Sequence, residues 1–197
     1  MGTVERKTRD KVAREAHITQ AARSIATAEG WRAVTIRRLA DEIEYSQPVL
    51  YGHFRNRDAI VAAVAVEGFG VLRGLLLAAA GAAATPQDAL HRVAAAYIAF
   101  AFDEVALYEA MFVLPTGLHF AQDDVPAPLK DAFSALATVV APFCTQVDLA
   151  TETLWAALHG AAQLERHGRI RPGYRAERVA LIVQALLKNP GAPHASA

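Results

Sequence analysis

Apolar residues recur at helical spacing along the 197 residues, with no sustained alternation of the kind strands show. A first helix is expected from Asp10 to Glu29, with Ile18, Ala21, Ala22 and Ile25 on one face and Gly30 in a left-handed closing position. Residues 1–9 are charged and lack periodicity, so they read as an arm. Arg6, Lys7, Arg9 and Lys11 could follow DNA phosphates or a minor groove, or simply be solvated. Ile36, Leu39, Ala40 and Ile43 form a second stripe behind Thr35, whose hydroxyl can cap the first turn. Ser46 then caps a third helix with Pro48 in its first turn and Leu50, Tyr51 and Phe54 as anchors. Trp31 and Val34 are expected to close a small core against Leu39 and Phe54. Helices this short need tertiary packing to exist. Joined by a tight turn, they fit a helix-turn-helix whose second member enters a DNA major groove.

The remaining chain is read the same way. Asn56 caps a fourth helix, with Asp58 near its positive end, running past Ile60, Val64 and Phe69 towards Leu77. Gly68, Gly70 and Gly74 weaken that helix by roughly 1 kcal/mol each; they could make a hinge or permit close packing, and packing is preferred. Thr85-Pro86-Gln87-Asp88 starts a fifth helix carrying Leu90, Val93, Ala94, Tyr97, Ile98 and Ala101. A sixth begins at Asp103 and is stopped by Pro115, and residues 115–127 form a loop. A seventh begins near Pro128 and is kinked or ended by Pro142. An eighth is capped by Asp148 and ends at Gly168, and a ninth spans Glu177 to Lys188. The expectation is an all-α fold of about nine helices. Residues 1–57 would hold the arm and helix-turn-helix domain, 58–188 a larger helical domain, and 189–197 a disordered tail.

Charge sharpens this division. The formal net charge is zero, yet residues 1–60 hold 11 Lys/Arg against 8 Asp/Glu. The excess sits where a DNA-binding head would need it. Cys144 is the one cysteine, which excludes an internal disulfide and fits a reducing cytoplasm as the expected location. Its plainer reading is a small buried apolar group. Glu67 and Arg73 interrupt the apolar run from Ala59 to Ala84, leaving pieces expected to be too short to cross a bilayer, and no signal peptide is visible. There is no H-E-x-x-H, G-x-S-x-G or G-x-x-x-x-G-K-[ST] motif and no Cys/His metal spacing, so neither enzyme activity, nor a cofactor, nor a metal is expected.

The run T-I-R-R-L-A-D-E-I, the S-Q-P-V-L-Y-G-H-F after it, and R-N-R-D-A-I leading into the fourth helix carry a family resemblance. They resemble the DNA-binding domain of the tetracycline-repressor (TetR) family over roughly residues 9–66. Leu154-Trp155-Ala156-Ala157-Leu158-His159-Gly160 is similar to the Trp–His–Gly signature of one C-terminal subgroup. The resemblance implies a regulator, commonly a repressor, that binds a palindromic double-stranded operator as a homodimer and is released by a small effector. Two recognition helices would then enter successive grooves about 34 Å apart.

On the head, Gln47 can pair bidentately with adenine, Arg37 can reach a guanine, and Val49 offers a surface for a thymine methyl. Pro48 presents an apolar edge and Ser46 opens the helix. Thr35, Tyr51, His53 and Arg57 carry donors suited to phosphates, and the resemblance gives their counterparts that part. Tyr51 could instead be a core aromatic, and His53 a surface bystander. Glu44 stands where the family's turn usually has glycine, at a cost of about 1 kcal/mol if the residue is left-handed. Gly52 leaves a gap where the family often has a large side chain. In the larger domain, Tyr97, Phe100, Tyr108, Met111, Phe112, His119, Phe133, Trp155 and His159 are candidates to line an effector pocket, with plain core as the other reading. Such a pocket would be mostly apolar and suit a hydrophobic or aromatic molecule. The resemblance places dimer contacts on the last two helices, where Ala157, Leu158, Gly160, Ala161, Val179, Ile182 and Leu186 are small or apolar. A helical apolar-ligand carrier with a vestigial DNA head is the rival reading.

Overall fold

In the computed structural model, residues 3–118 and 125–188 are described. Among them are nine α-helices and no strand: α1 (Thr3–Glu29), α2 (Ile36–Glu42), α3 (Gln47–His53), α4 (Arg57–Gly81), α5 (Pro86–Asp103), α6 (Val105–Phe112), α7 (Ala127–Val140), α8 (Val147–Arg166) and α9 (Arg175–Lys188). The all-α expectation holds. Residues 119–124 of the expected loop, including His119, and the tail 189–197 lie outside the described residues.

Local start and stop signals account for most boundaries. Thr35 Oγ1 accepts from the Arg38 N–H at 3.1 Å, and Asn56 Oδ1 from the Ala59 N–H at 2.9 Å. At the start of α5, Thr85 Oγ1 accepts from Asp88 N–H while the Asp88 carboxylate accepts from Ala84 N–H, both at 3.1 Å. Pro142 ends α7 in a short 3₁₀ turn, Ala141–Phe143. Gly30 closes α1 with φ +82 and ψ 162, a positive-φ geometry that glycine adopts without a Cβ clash.

Three expectations change. α1 begins at Thr3, so Arg6, Lys7 and Arg9 ride on a helix and not on an irregular arm. Ser46 occupies the cap position of α3 but its side chain makes no capping hydrogen bond. The cap of α8 is Gln146, and Asp148 sits inside the first turn, where a negative charge still favours the helix.

The chain divides into two compact units, residues 1–68 with 104–125, and residues 69–103 with 126–197. The first unit therefore takes in α6, which the sequence alone assigned to the larger domain. Its core is Ile18, Ala22, Ile25, Trp31, Val34, Leu39, Leu50, Ile60 and Val64, joined by Leu107 and Met111 of α6. The indole N–H of Trp31 donates to the Ala106 carbonyl at 2.9 Å, and Arg23 pairs with Glu104 at 2.8 Å. In the second unit α5, α7, α8 and α9 pack on one another through Leu90, Val93, Phe100, Leu129, Leu136, Leu154, Leu158, Val179 and Val183. There Glu165 is buried between Arg175 and Arg178. Burial pushes its carboxyl pKa up, but hydrogen bonds and charges from the two guanidiniums outweigh that and hold it below the ordinary range.

α4 is continuous over 25 residues despite Glu67 and Arg73. With a mean hydropathy of 2.0 over its most apolar window, it is long and apolar enough by composition to cross a membrane, contrary to the expectation of short pieces. Core helices pass the same test. Here 44% of that window is buried, Thr19 Oγ1 donates to Glu67 at 2.6 Å, and Arg73 lies 3.8 Å from Asp131.

The three glycines of α4 separate cleanly. A Cβ on Gly68 would lie 2.6 Å from Sδ and 3.0 Å from Cγ of Met111, whereas Gly70 and Gly74 have nothing within 4 Å. Close packing thus explains Gly68 only. Gly68→Ala is expected to destabilise the protein by about 1–3 kcal/mol through displacement of buried Met111. Gly70→Ala and Gly74→Ala are expected to stabilise it by about 0.5–1 kcal/mol each. Denaturant unfolding of the three variants distinguishes a packing glycine from two that only soften the helix.

Candidate nucleic-acid interface and ligand-sensing unit

The helix-turn-helix places its chemistry by burying one side of a seven-residue helix. Leu50 of α3 is fully buried, while Gln47, Pro48, Val49, Tyr51 and Gly52 are exposed. The turn before α3 passes through Glu44, which has φ 56 and is the one non-glycine residue with positive φ among those described. The turn keeps the left-handed geometry that glycine would make cheap, and Glu44 bears the strain. Its side chain is exposed. Gly52 has nothing within 4 Å of a would-be Cβ, so α3 leaves open space there.

The expected DNA contacts fall into two groups. Thr35, Arg37, Ser46, Gln47, Pro48, Val49 and Tyr51 are exposed on the first unit. Arg37 is 85% exposed, with only a 4.0 Å approach to Asp41. Its neighbour Arg38 is tied to Glu42 at 2.5 Å and Glu29 at 3.2 Å, which fits a structural charge and not a base reader. Tyr51 is 54% exposed, so the core-aromatic alternative fails. His53 and Arg57 belong to the second group, committed within the unit. His53 Nδ1 lies 3.4 Å from Glu15, and its side chain is nearly buried. Arg57 donates from Nε to the Val34 carbonyl at 2.7 Å and from Nη2 to the Trp31 carbonyl at 2.6 Å. The Trp31 carbonyl already accepts from the Val34 N–H at 3.3 Å in the short 3₁₀ turn Trp31–Ala33, and Arg57 adds a charged donor to it and to the Val34 carbonyl, so the guanidinium serves as a strut.

The expected effector residues do not gather in one unit. Tyr108, Met111 and Phe112 belong to the first, where the Tyr108 and Phe112 rings lie 5.0 Å apart. Tyr97, Phe100, Phe133, Trp155 and His159 belong to the second. Within that second set the structure builds a polar cluster: Trp155 Nε1 donates to the Tyr97 hydroxyl at 2.9 Å, and that hydroxyl lies 3.5 Å from His159 Nδ1. Tyr97 is fully buried.

The expected dimer residues also divide. Leu158 and Val179 are buried in the chain's own core, Ala157 is exposed, and Gly160, Ala161, Ile182 and Leu186 are half-buried. The outward stripe on α8 is completed by Leu149, Thr153 and Leu164, and on α9 by Leu181 and Ala185. Spacing of three or four residues along α8 carried that signal in the sequence. A groove of about 420 Å³ lies along it, lined by Leu149, Thr153, Ala157, Ile182, Ala185 and Leu186 among others, and by none of the expected effector residues. No cluster of metal-ligating side chains occurs among the described residues.

Comparison with known proteins places this geometry in context. Residues 18–64 match the family described as bacterial regulatory proteins, tetR family, and residues 90–187 match the tetracyclin repressor-like C-terminal domain, which includes the Trp155–His159–Gly160 run. An uncharacterised HTH-type transcriptional regulator of Mycobacterium tuberculosis is 29% identical over 164 residues, covering 80% of this chain and 72% of its own. Among solved structures, a protein of unknown function from Rhodococcus sp. RHA1 superposes with a TM-score of 0.73 at 20% identity, over 90% of this chain and 95% of the other. RolR in complex with the ligand resorcinol superposes with a TM-score of 0.64 at 15% identity, over 95% and 92%. At these identities the structural likeness speaks for the fold.

The turn and the polar cluster each generate a measurement. Glu44→Gly is expected to stabilise the protein by about 1 kcal/mol, read as a higher unfolding midpoint; a lower midpoint would mean that the turn is not strained. Burial lowers the pKa of His159 from its ordinary 6.5. The unfolded chain then binds a proton more readily than the folded one, so stability falls as pH drops through 6.5 towards the folded-state value and levels off below it. A melting profile against pH should therefore be flatter over that interval for His159→Gln than for the wild type.

Proposed function

Because the chain belongs to the TetR family of bacterial transcriptional regulators, we propose that it is a homodimeric repressor released from a palindromic operator by a small, mostly apolar effector. The observation that carries this reading is the exposed face of α3. Gln47, Pro48, Val49 and Tyr51 stand outward on a helix whose opposite side is anchored by buried Leu50. Gln47 in the first turn and Arg37 on α2 are the base readers of this proposal, and Thr35, Ser46 and Tyr51 its phosphate contacts. His53 and Arg57 act on DNA indirectly, by holding α1, the Trp31–Val34 link and α4 in register with α3.

The dimer surface of this proposal is the apolar stripe of α8 and α9, from Leu149 to Leu164 and from Leu181 to Leu186. A second copy would cover both the stripe and its groove, as two-fold contacts do. The effector site of this proposal lies in the second unit around Tyr97, Trp155 and His159, which give an apolar core a few polar handles. RolR, a protein of the same fold, is described with the ligand resorcinol, which supports a ring-bearing effector here. Release works by population shift: the effector binds the DNA-incompetent arrangement more tightly, and the difference in affinity sets how far the equilibrium moves.

Selection of binding sites from a random duplex library tests the reading. An enriched inverted repeat with half-sites one helical turn apart is expected. Gln47→Ala and Arg37→Ala should each relax one base position at a cost of about 1–3 kcal/mol. Absence of any enriched sequence, or a strictly monomeric protein in sedimentation, would overturn it.

A further inference from the structure

The N-terminal part of α1 is not absorbed by the helix-turn-helix. α1 runs from Thr3, but its first buried residue is Ile18, and Glu5 to Arg14 are all exposed. About three helical turns therefore project beyond the packed core. This overhang carries Arg6, Lys7, Arg9, Lys11 and Arg14 against Glu5 and Asp10, five basic residues to two acidic. Residues 15–60 carry six of each. The whole positive excess of the head thus resides in the overhang, and the helix-turn-helix proper is charge-neutral.

The overhang also has a direction. Lys7 and Arg14 are heptad-spaced with buried Ala21, and Lys11 with buried Ile18 and Ile25. A heptad step brings a helix back to nearly the same face. The face of α1 that packs onto the head therefore continues, past the edge of the core, as Lys7, Lys11 and Arg14. Glu15 joins this face to the recognition helix: its carboxylate lies 3.7 Å from Lys11 Nζ and 3.4 Å from Nδ1 of His53, the last residue of α3.

We propose that this overhang is a second DNA-contacting element, in which Lys7, Lys11 and Arg14 follow the phosphate backbone flanking the half-site occupied by α3. The proposal rests on the DNA-binding reading above and adds a contact to it. Phosphate neutralisation supplies the sequence-independent part of affinity, and a neutral helix-turn-helix has to draw it from elsewhere. Asp10, on the same side, leaves room for contacts above and below it and not for an unbroken basic ridge.

The test uses the full chain and the duplex that the wild type selects from a random library, made with long and with trimmed flanks. Affinity is measured by fluorescence anisotropy at several salt concentrations for the wild type, a Lys7→Ala/Lys11→Ala/Arg14→Ala variant and a single Lys11→Ala. Arg9→Ala, which removes the same charge from the opposite face of the overhang, serves as the control. The slope of log K against log salt is expected to fall by about 0.9 for each phosphate that is no longer neutralised, with half-site base preference retained. Trimming the flanks should erase the difference between wild type and triple variant. Unfolding midpoints of all variants should match the wild type, since each side chain is exposed, and Lys11→Arg should restore the slope. A triple variant with wild-type slope and affinity overturns the proposal while leaving the DNA-binding reading standing. An Arg9→Ala loss equal to that of Lys11→Ala also overturns it, by showing a diffuse field in place of a facing contact. A wild type that binds no duplex sinks both.

Discussion

A seven-residue helix cannot sustain itself in water, because its few hydrogen bonds do not offset the cost of nucleation. α3, the second helix of the helix-turn-helix, is therefore only as well defined as its packing, and the first unit is arranged around that requirement. Leu50 is the anchor, buried to zero exposure on the inner side of α3. Arg57 fixes the frame around it by donating to the carbonyls of Trp31 and Val34, so that the start of α4 is tied to the link between α1 and α2. Trp31 extends the frame to α6 through its indole N–H. With the inner side so constrained, the outer side of α3 is free to carry residues chosen for a partner and not for stability.

Among the described residues, the buried polar side chains Thr19, Thr151, Tyr97 and Glu165 are each matched. Thr19 meets Glu67, Thr151 donates to the Val147 carbonyl, Tyr97 meets Trp155, and Glu165 is held by two arginines. An unmatched group in such surroundings would cost far more than a matched one contributes. The Tyr97–Trp155–His159 cluster differs from the Glu165 clamp in being built without a formal charge, since burial keeps His159 towards its neutral form. Neutral, directional hydrogen bonds in an apolar setting are the polar handles that the proposed effector site calls for. The clamp, by contrast, fixes the end of α8 against the start of α9.

Much of the fold was legible residue by residue because its cues are local. Thr35, Asn56 and Thr85 each had a capping oxygen in the right place, and each makes the bond. The left-handed turn could be inferred at Glu44, and φ there is 56. The face of α3 was readable from spacing, since Leu50 had to point inward and its neighbours outward. Where cues were ambiguous, expectation and structure part. The first nine residues lack apolar periodicity, which hides a helix that has nothing to bury. Ser46 stands at a cap position yet makes no capping bond.

By itself, then, the chain's sequence determined its helices, the helix-turn-helix and the family, because periodicity, caps and motif residues act within a few positions of one another. Tertiary structure alone decided which side chains remained available. His53 and Arg57 look like free basic groups in the sequence, and their partners Glu15, Trp31 and Val34 lie more than 20 residues away. Leu158 and Val179 look like interface residues until the chain's own core claims them. The placement of α6 with the first unit rests on contacts such as Trp31 to Ala106, 75 residues apart. Hydrogen bonds and burial over such separations depend on how helices meet in space, and no local pattern of residues encodes that.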